Sequence, residues 1–149
     1  MHSMSINRLL VMAVIHFALM YGLMYAMVNT FSNIFPNLNQ FYMAGLMTSP
    51  MLILEIILMG SMYENKRATR IIMGVSIVMF AVCFIFIRQQ TGITDGEFVR
   101  SMIPHHAGAI LMCEQAPIQD SEIRTLCDSI ITSQQAEIDQ MKAIMDRVE

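Results

Sequence analysis

Ser101–Cys113 reads SMIPHHAGAILMC, and the rest of the chain is organised around it. Read as a helix at about 100° per residue, it places Met102, His105, His106, Ala109, Met112 and Cys113 within an arc of roughly 120°. Thioether, imidazole and thiol are the donors that soft and borderline metals prefer. The plainer reading is an amphipathic helix with methionine as core filler and histidines at its edge. Pro104 lies inside the same stretch. Its ring removes one backbone donor and clashes with the carbonyl four residues back, that of Arg100. A kink and a freed carbonyl are therefore predicted beside the histidines.

Punctuation on either side predicts a helical hairpin. Thr94-Asp95-Gly96-Glu97 fits a capping box, with Thr94 as cap and Glu97 three residues on. The helix that follows runs to about Gln115, where Ala116-Pro117 stops it. Asp120 or Ser121 caps a second helix running towards Arg147. Its apolar face is Ile123, Leu126, Cys127, Ile130, Ile138, Met141, Ile144 and Met145, and Gln134 and Glu137 interrupt that face. Two helices of this length do not seal a core alone, so packing on a second copy or on the membrane part is expected. With the turn near Ile118, Met102 stands opposite Gln134 and Met141 lies roughly 10 Å further along.

Upstream the material changes. The chain has 149 residues, of which 55% are hydrophobic and 14% charged, with 17 Met and no Trp. That is too apolar and too poor in charge for an ordinary soluble domain. Residues 7–28, 41–63 and 71–87 are each long and apolar enough to cross a bilayer as a helix. The first is too long for a usual signal peptide and lacks a small-residue cleavage site, so it reads as retained. Residues 29–40 read as a loop, and Glu64–Arg70 as a short basic turn. The expected division is a membrane domain over 1–90 and a hairpin over 91–149.

Charge orients this arrangement. The net charge of −3 hides an asymmetry: residues 1–90 carry Arg8, Lys66, Arg67, Arg70 and Arg88 against Glu55 and Glu64, whereas the tail is acidic. Lys66, Arg67 and Arg70 lie between spans two and three, Arg8 lies before span one, and residues 29–40 hold no Lys or Arg. Basic ends stay cytoplasmic, which sends the tail outside. The acidic tail argues against nucleic acid as a partner.

FVRSMIPHHAGAILM followed by IITSQQAEIDQM resembles a bacterial family catalogued as domain of unknown function 305, whose pattern is M-x-P-H-H-x-x-A-x-x-M and a downstream Q-x-E-I-x-x-M. Met102, Pro104, His105, His106, Ala109, Met112, Gln135, Glu137, Ile138 and Met141 fall in its register, and the likeness covers Thr94 to the end. The resemblance implies a ferritin-like helical fold, here half of a four-helix bundle completed by oligomerisation, and a role like that of the periplasmic copper-binding, CopM-type members. Carried over, it makes Met102, His105, His106, Met112 and Met141 the candidate metal ligands. Asp95 and Glu137 match family positions as further ligands or as supports for them. The chain departs from the pattern in its three-span anchor and in Cys113 and Cys127, which are either thiolate ligands, a disulfide or small buried hydrophobes.

A di-iron site is not expected, because such sites need inward Glu residues and Glu-x-x-His motifs, and position 102 is Met. Methionine-rich ligation favours Cu(I); imidazole also admits Cu(II) or Zn. No nucleophile–base set or phosphate loop is visible in the tail, so a binding role rather than an enzyme is expected. Met12, His16, Met20 and Met24, and Met43, Met47, Met51, Glu55 and Met59, recur every four residues in the first two spans. They are either packing or lipid-facing residues, or a path through the membrane, since ionisable groups at that depth usually face a partner or a pathway. Three readings follow: a membrane-anchored, oligomeric copper-binding protein for tolerance, storage or delivery to other copper-handling proteins; a copper-transporter subunit; and an oligomerisation module without metal.

Overall fold

The computed structural model describes residues 5–148. Those residues form five α-helices, with short 3-10 turns between the first three and no strand among them: α1 (Ile6–Leu23), α2 (Leu38–Met59), α3 (Lys66–Gln89), α4 (Asp95–Gln115) and α5 (Ser121–Val148). The all-helical architecture, with three membrane-length helices and then a hairpin, is the one expected. With their flanking turns, Ile6–Met27, Leu38–Met62 and Lys66–Gln89 are long and apolar enough to cross a membrane.

The chain forms two compact units that no single cut separates. One holds the chain up to Leu23 together with Asn39–Gly92; the other joins Met24–Leu38 to the chain from Ile93 onward. The segment between the first two spans thus belongs with the hairpin rather than with the membrane helices, a partition different from a division at residue 90.

In the first unit, α1, α2 and α3 present large apolar side chains outward, among them Val14, Leu58 and Val78. A bilayer core suits such faces because it is as apolar as they are, while the helices bond their own backbone. The inner face of α2 is small: Ala44, Gly45, Thr48 and Ser49 are buried. A β-carbon on Gly45 would stand 2.8 Å from the Cys83 sulfur, so glycine is what permits this approach of α3. At the other end Leu9, Leu52, Ile56 and Tyr63 form a buried cluster, against which Met12, Met51 and Met59 pack.

The basic stretch differs from the predicted turn. Asn65 caps α3 by accepting from the Ala68 N–H at 3.0 Å, so Lys66, Arg67 and Arg70 lie in the first turns of that helix. Lys66 is useful there because its ammonium donates to the carbonyls of Gly60 and Ser61, at 3.0 and 2.6 Å. These would otherwise lack donors where the preceding helix ends.

The second unit is built on the hairpin. Val99, Ile103, Ala107 and Ile110 of α4 meet Ile138 and Met145 of α5 in a buried cluster, joined by Met141, Ile131 and Ile144. Val28 and Phe35, from the segment between spans, complete it. That segment supplies the cover that two helices alone lack. Thr94 caps α4 as predicted, accepting from the Glu97 N–H at 3.3 Å. The second half of the capping box goes elsewhere: Glu97 Oε2 accepts from the Leu38 N–H at 2.8 Å. Asp120 caps α5, its Oδ1 accepting from the N–H groups of Glu122 and Ile123 at 2.9 and 3.0 Å.

Candidate metal centre

α4 buries one side, and the predicted donor arc is divided: His105 and Met112 stand open, whereas His106 and Cys113 turn towards α5. Val99, Ile103, Pro104, Ala107, Gly108 and Ile110 are buried, whereas His105 and Met112 are exposed and Met102 and His106 are partly buried. The two histidine rings lie side by side with centroids 6.0 Å apart and planes tilted by 57°. Pro104 leaves the Arg100 carbonyl without its helical donor. The Asn37 side-chain amide, itself buried, reaches that carbonyl at 3.5 Å and also donates to the Phe35 carbonyl at 2.9 Å. α4 runs on through Pro104 without a break, and beside the histidines it is thereby tied to the segment between spans.

Cys113 and Cys127 form a disulfide, with Cα atoms 5.2 Å apart. The Cys113 sulfur is thus bonded, and a thiolate ligand at that position, one of the options at the sequence level, is not available in this form. The bridge also fixes the register of the hairpin. Stepping outward equally from the paired cysteines sets His106 opposite Gln134 and Met102 opposite Ile138. This corrects the expectation of Met102 against Gln134: the turn is centred nearer Asp120 than Ile118, because Asp120 is the cap that starts α5.

His106 faces the hairpin. Its Nδ1 lies 3.3 Å from Glu137 Oε2, the histidine side chain being 13% exposed and the glutamate 54%. The contact falls short of hydrogen-bond geometry, and both His106 Nδ1 and the Gln134 Oε1 that the register sets opposite it are buried without a hydrogen-bond partner. Burial pushes the His106 imidazole below its ordinary pKa; the Glu137 carboxylate pulls it back up, and His105 adds to the fall. With Nδ1 turned towards Glu137, the neutral imidazole keeps Nε2 as its nitrogen for a metal.

The remaining donors do not all converge. Met102 sits one turn before His106 and three residues before His105. Met112 is ten residues beyond Met102, about 15 Å along a continuous helix, and Asp95 is equally far from His105. Met141 lies three residues past the level of Met102, about 4.5 Å along the axis, yet it packs into the hairpin core. The compact set is therefore Met102, His105 and His106, with Glu137 behind His106. Among the described residues no three His, Cys, Asp or Glu side chains gather as a ligand group, so a site here depends on thioether donors. Asn37 was missed at the sequence level; the signal was the orphan carbonyl that Pro104 guarantees. Gln134 and Glu137 were visible only as interruptions of an apolar face.

The family described as "Domain of unknown function (DUF305)" matches residues 88–148, which hold α4 and α5. The chain is similar to the uncharacterized protein L153 of Acanthamoeba polyphaga mimivirus, with 38% identity over 112 residues, covering 74% of this chain and 72% of the viral protein. That stretch is longer than the family segment, so the likeness reaches into the membrane-length helices. No solved structure matches the chain. By its hairpin motif and by this relative, the chain belongs to the domain of unknown function 305 family.

Proposed function

We propose that the protein is a membrane-anchored copper-binding protein that holds Cu(I) on the open flank of α4, for tolerance, storage or delivery. One observation carries the reading. His106 turns its buried Nδ1 towards the half-exposed Glu137 carboxylate of α5, so its other nitrogen is the one available to an ion on the flank where His105 and Met102 stand. Imidazole beside thioether suits Cu(I) best, with Cu(II) and Zn as weaker fits.

The disulfide and the charge pattern support a placement of the hairpin outside the cytoplasm. Disulfides persist in oxidising compartments, and the Arg8 and Lys66–Arg70 ends are the basic ones. In a bacterial cell this means the inner membrane, with the hairpin in the periplasm. Exposed Phe98, Ile123 and Leu126 on the hairpin support self-association, which sedimentation of the full chain in detergent measures. A transporter reading is disfavoured by Glu55, whose Oε1 accepts from the Tyr63 hydroxyl at 2.8 Å and so has a structural partner.

The test is a competition titration of the full chain with a Cu(I) chelator, beside metal analysis of protein purified without chelator. Copper should co-purify, and His105→Ala/His106→Ala should weaken Cu(I) binding. Equal affinity in the two proteins would reduce the histidines to helix-edge residues.

A further inference from the structure

The donors along α4 divide into two groups. Met102, His105 and His106 lie beside Pro104. Cys113 stands seven residues past His106, about 10 Å along the helix, where it meets Cys127 of α5. Met112 precedes Cys113 and is 52% exposed. The helix rise that removes Met112 from the histidine group places it at the level of the cysteine pair.

We propose that Cys113 and Cys127, with Met112 alongside, form a second Cu(I) site that opens when their disulfide is reduced. It lies apart from the histidine site and does not depend on it. Three observations support it. The two cysteine Cα atoms are 5.2 Å apart, so their sulfurs remain neighbours after the bond is broken. The helices that carry them are held together independently, by Val99, Ile103, Ile110 and Ile138, so reduction leaves the two thiols preorganised. Both cysteines are partly exposed, within reach of a reductant and of an ion. Paired thiolates with a thioether nearby are a soft donor set, which selects Cu(I).

The chemistry balances through thiol–disulfide exchange. A dithiol reductant attacks one sulfur as thiolate and forms a mixed disulfide; its second thiol then displaces the protein. The reductant leaves as its own disulfide, and its two hydrogens end on Cys113 and Cys127. Cu(I) binding then replaces both thiol protons, which pass to water.

The experiment uses the full chain in detergent, with Cys83→Ser to remove the remaining thiol and His105→Ala/His106→Ala to remove the first site. Protein is kept oxidised, or reduced with a phosphine that is then removed without air. Each form is titrated with Cu(I) against a competing chelator, while circular dichroism follows helix content. The reduced form should take up one further equivalent of Cu(I), with thiolate-to-copper absorption in the ultraviolet and unchanged helix content. Adding Cys113→Ser/Cys127→Ser should abolish the gain. The proposal is overturned if reduced protein, with both thiols open to alkylation, binds no more copper than oxidised protein. A gain that survives the serine pair, or that comes with loss of helix, overturns it equally. Copper binding by the reduced chain alone, with none by oxidised wild-type protein, would uphold this site while removing the histidine site.

Discussion

Asn37 donates to the Arg100 carbonyl, the backbone oxygen that Pro104 deprives of its helical partner. A side chain from the segment between two membrane-length helices thus completes a helix sixty-odd positions later in the chain, one turn before the paired histidines.

Removing that donor should loosen α4 around Pro104. Asn37→Ala should cost about 1 kcal/mol of hairpin stability. Asn37→Asp should cost more, because it sets a carboxylate against two carbonyl oxygens. Amide hydrogen exchange across 100–108 reads the effect. Unchanged protection in both variants would show that the bond carries no weight.

Thioether position should matter more than thioether number. Met102 lies within a turn of both histidines, whereas Met112 is about 15 Å further along α4. In oxidised protein, Met102→Leu should therefore weaken Cu(I) binding and Met112→Leu should leave it nearly unchanged. Leucine conserves volume, so the comparison isolates the sulfur. The opposite ranking in a chelator competition would move the site towards the turn.

His106 gives a pH signature. Burial lowers its pKa from the ordinary 6.5, so between 6.5 and the folded value the unfolded chain binds the extra proton. The stability of the neutral, buried form is fully present above 6.5 and is lost as pH falls through that window. By the same shift, His106 stays neutral and able to bind metal in mildly acidic solution. Glu137→Gln removes the group that opposes the shift and should lower the pKa further. Histidine-ring NMR titration checks both statements, and a His106 titrating above 6.5 would contradict them.

Orientation can be read with a reporter active only in the cytoplasm, fused to the C-terminus. The basic residues at Arg8 and Lys66–Arg70 predict a silent fusion. Strong activity would place the hairpin inside and leave the disulfide in a reducing compartment.

Most of the fold was legible because it is written locally. Long apolar runs, Thr94 and Asp120 as caps, and Pro117 as a stop each act within a few residues. The relation between the two hairpin helices was not local, and a misplaced turn shifted Met102 from Ile138 to Gln134. Cys113 and Cys127 mark the true register, but only once they are known to bond. Gln134 and Glu137 showed as gaps in an apolar face, and their reason, the buried edge of His106, lies on the other helix. Lys66 looked like part of a loop because composition shows charge but not the orphan carbonyls of Gly60 and Ser61 that recruit it.

Val28 and Phe35 contribute to the hairpin core, and this has a consequence for how the protein is made. During synthesis the first connecting segment leaves the ribosome well before α4 and α5 exist. Its Val28 and Phe35 side chains wait for their partners until the end of the chain has been made. Two membrane-length helices, α2 and α3, separate these partners in the chain, so the partners share a side when both helices cross a bilayer and part when only one does. The core of the hairpin therefore closes only in a chain whose α2 and α3 both cross or both stay out, whichever way round it sits.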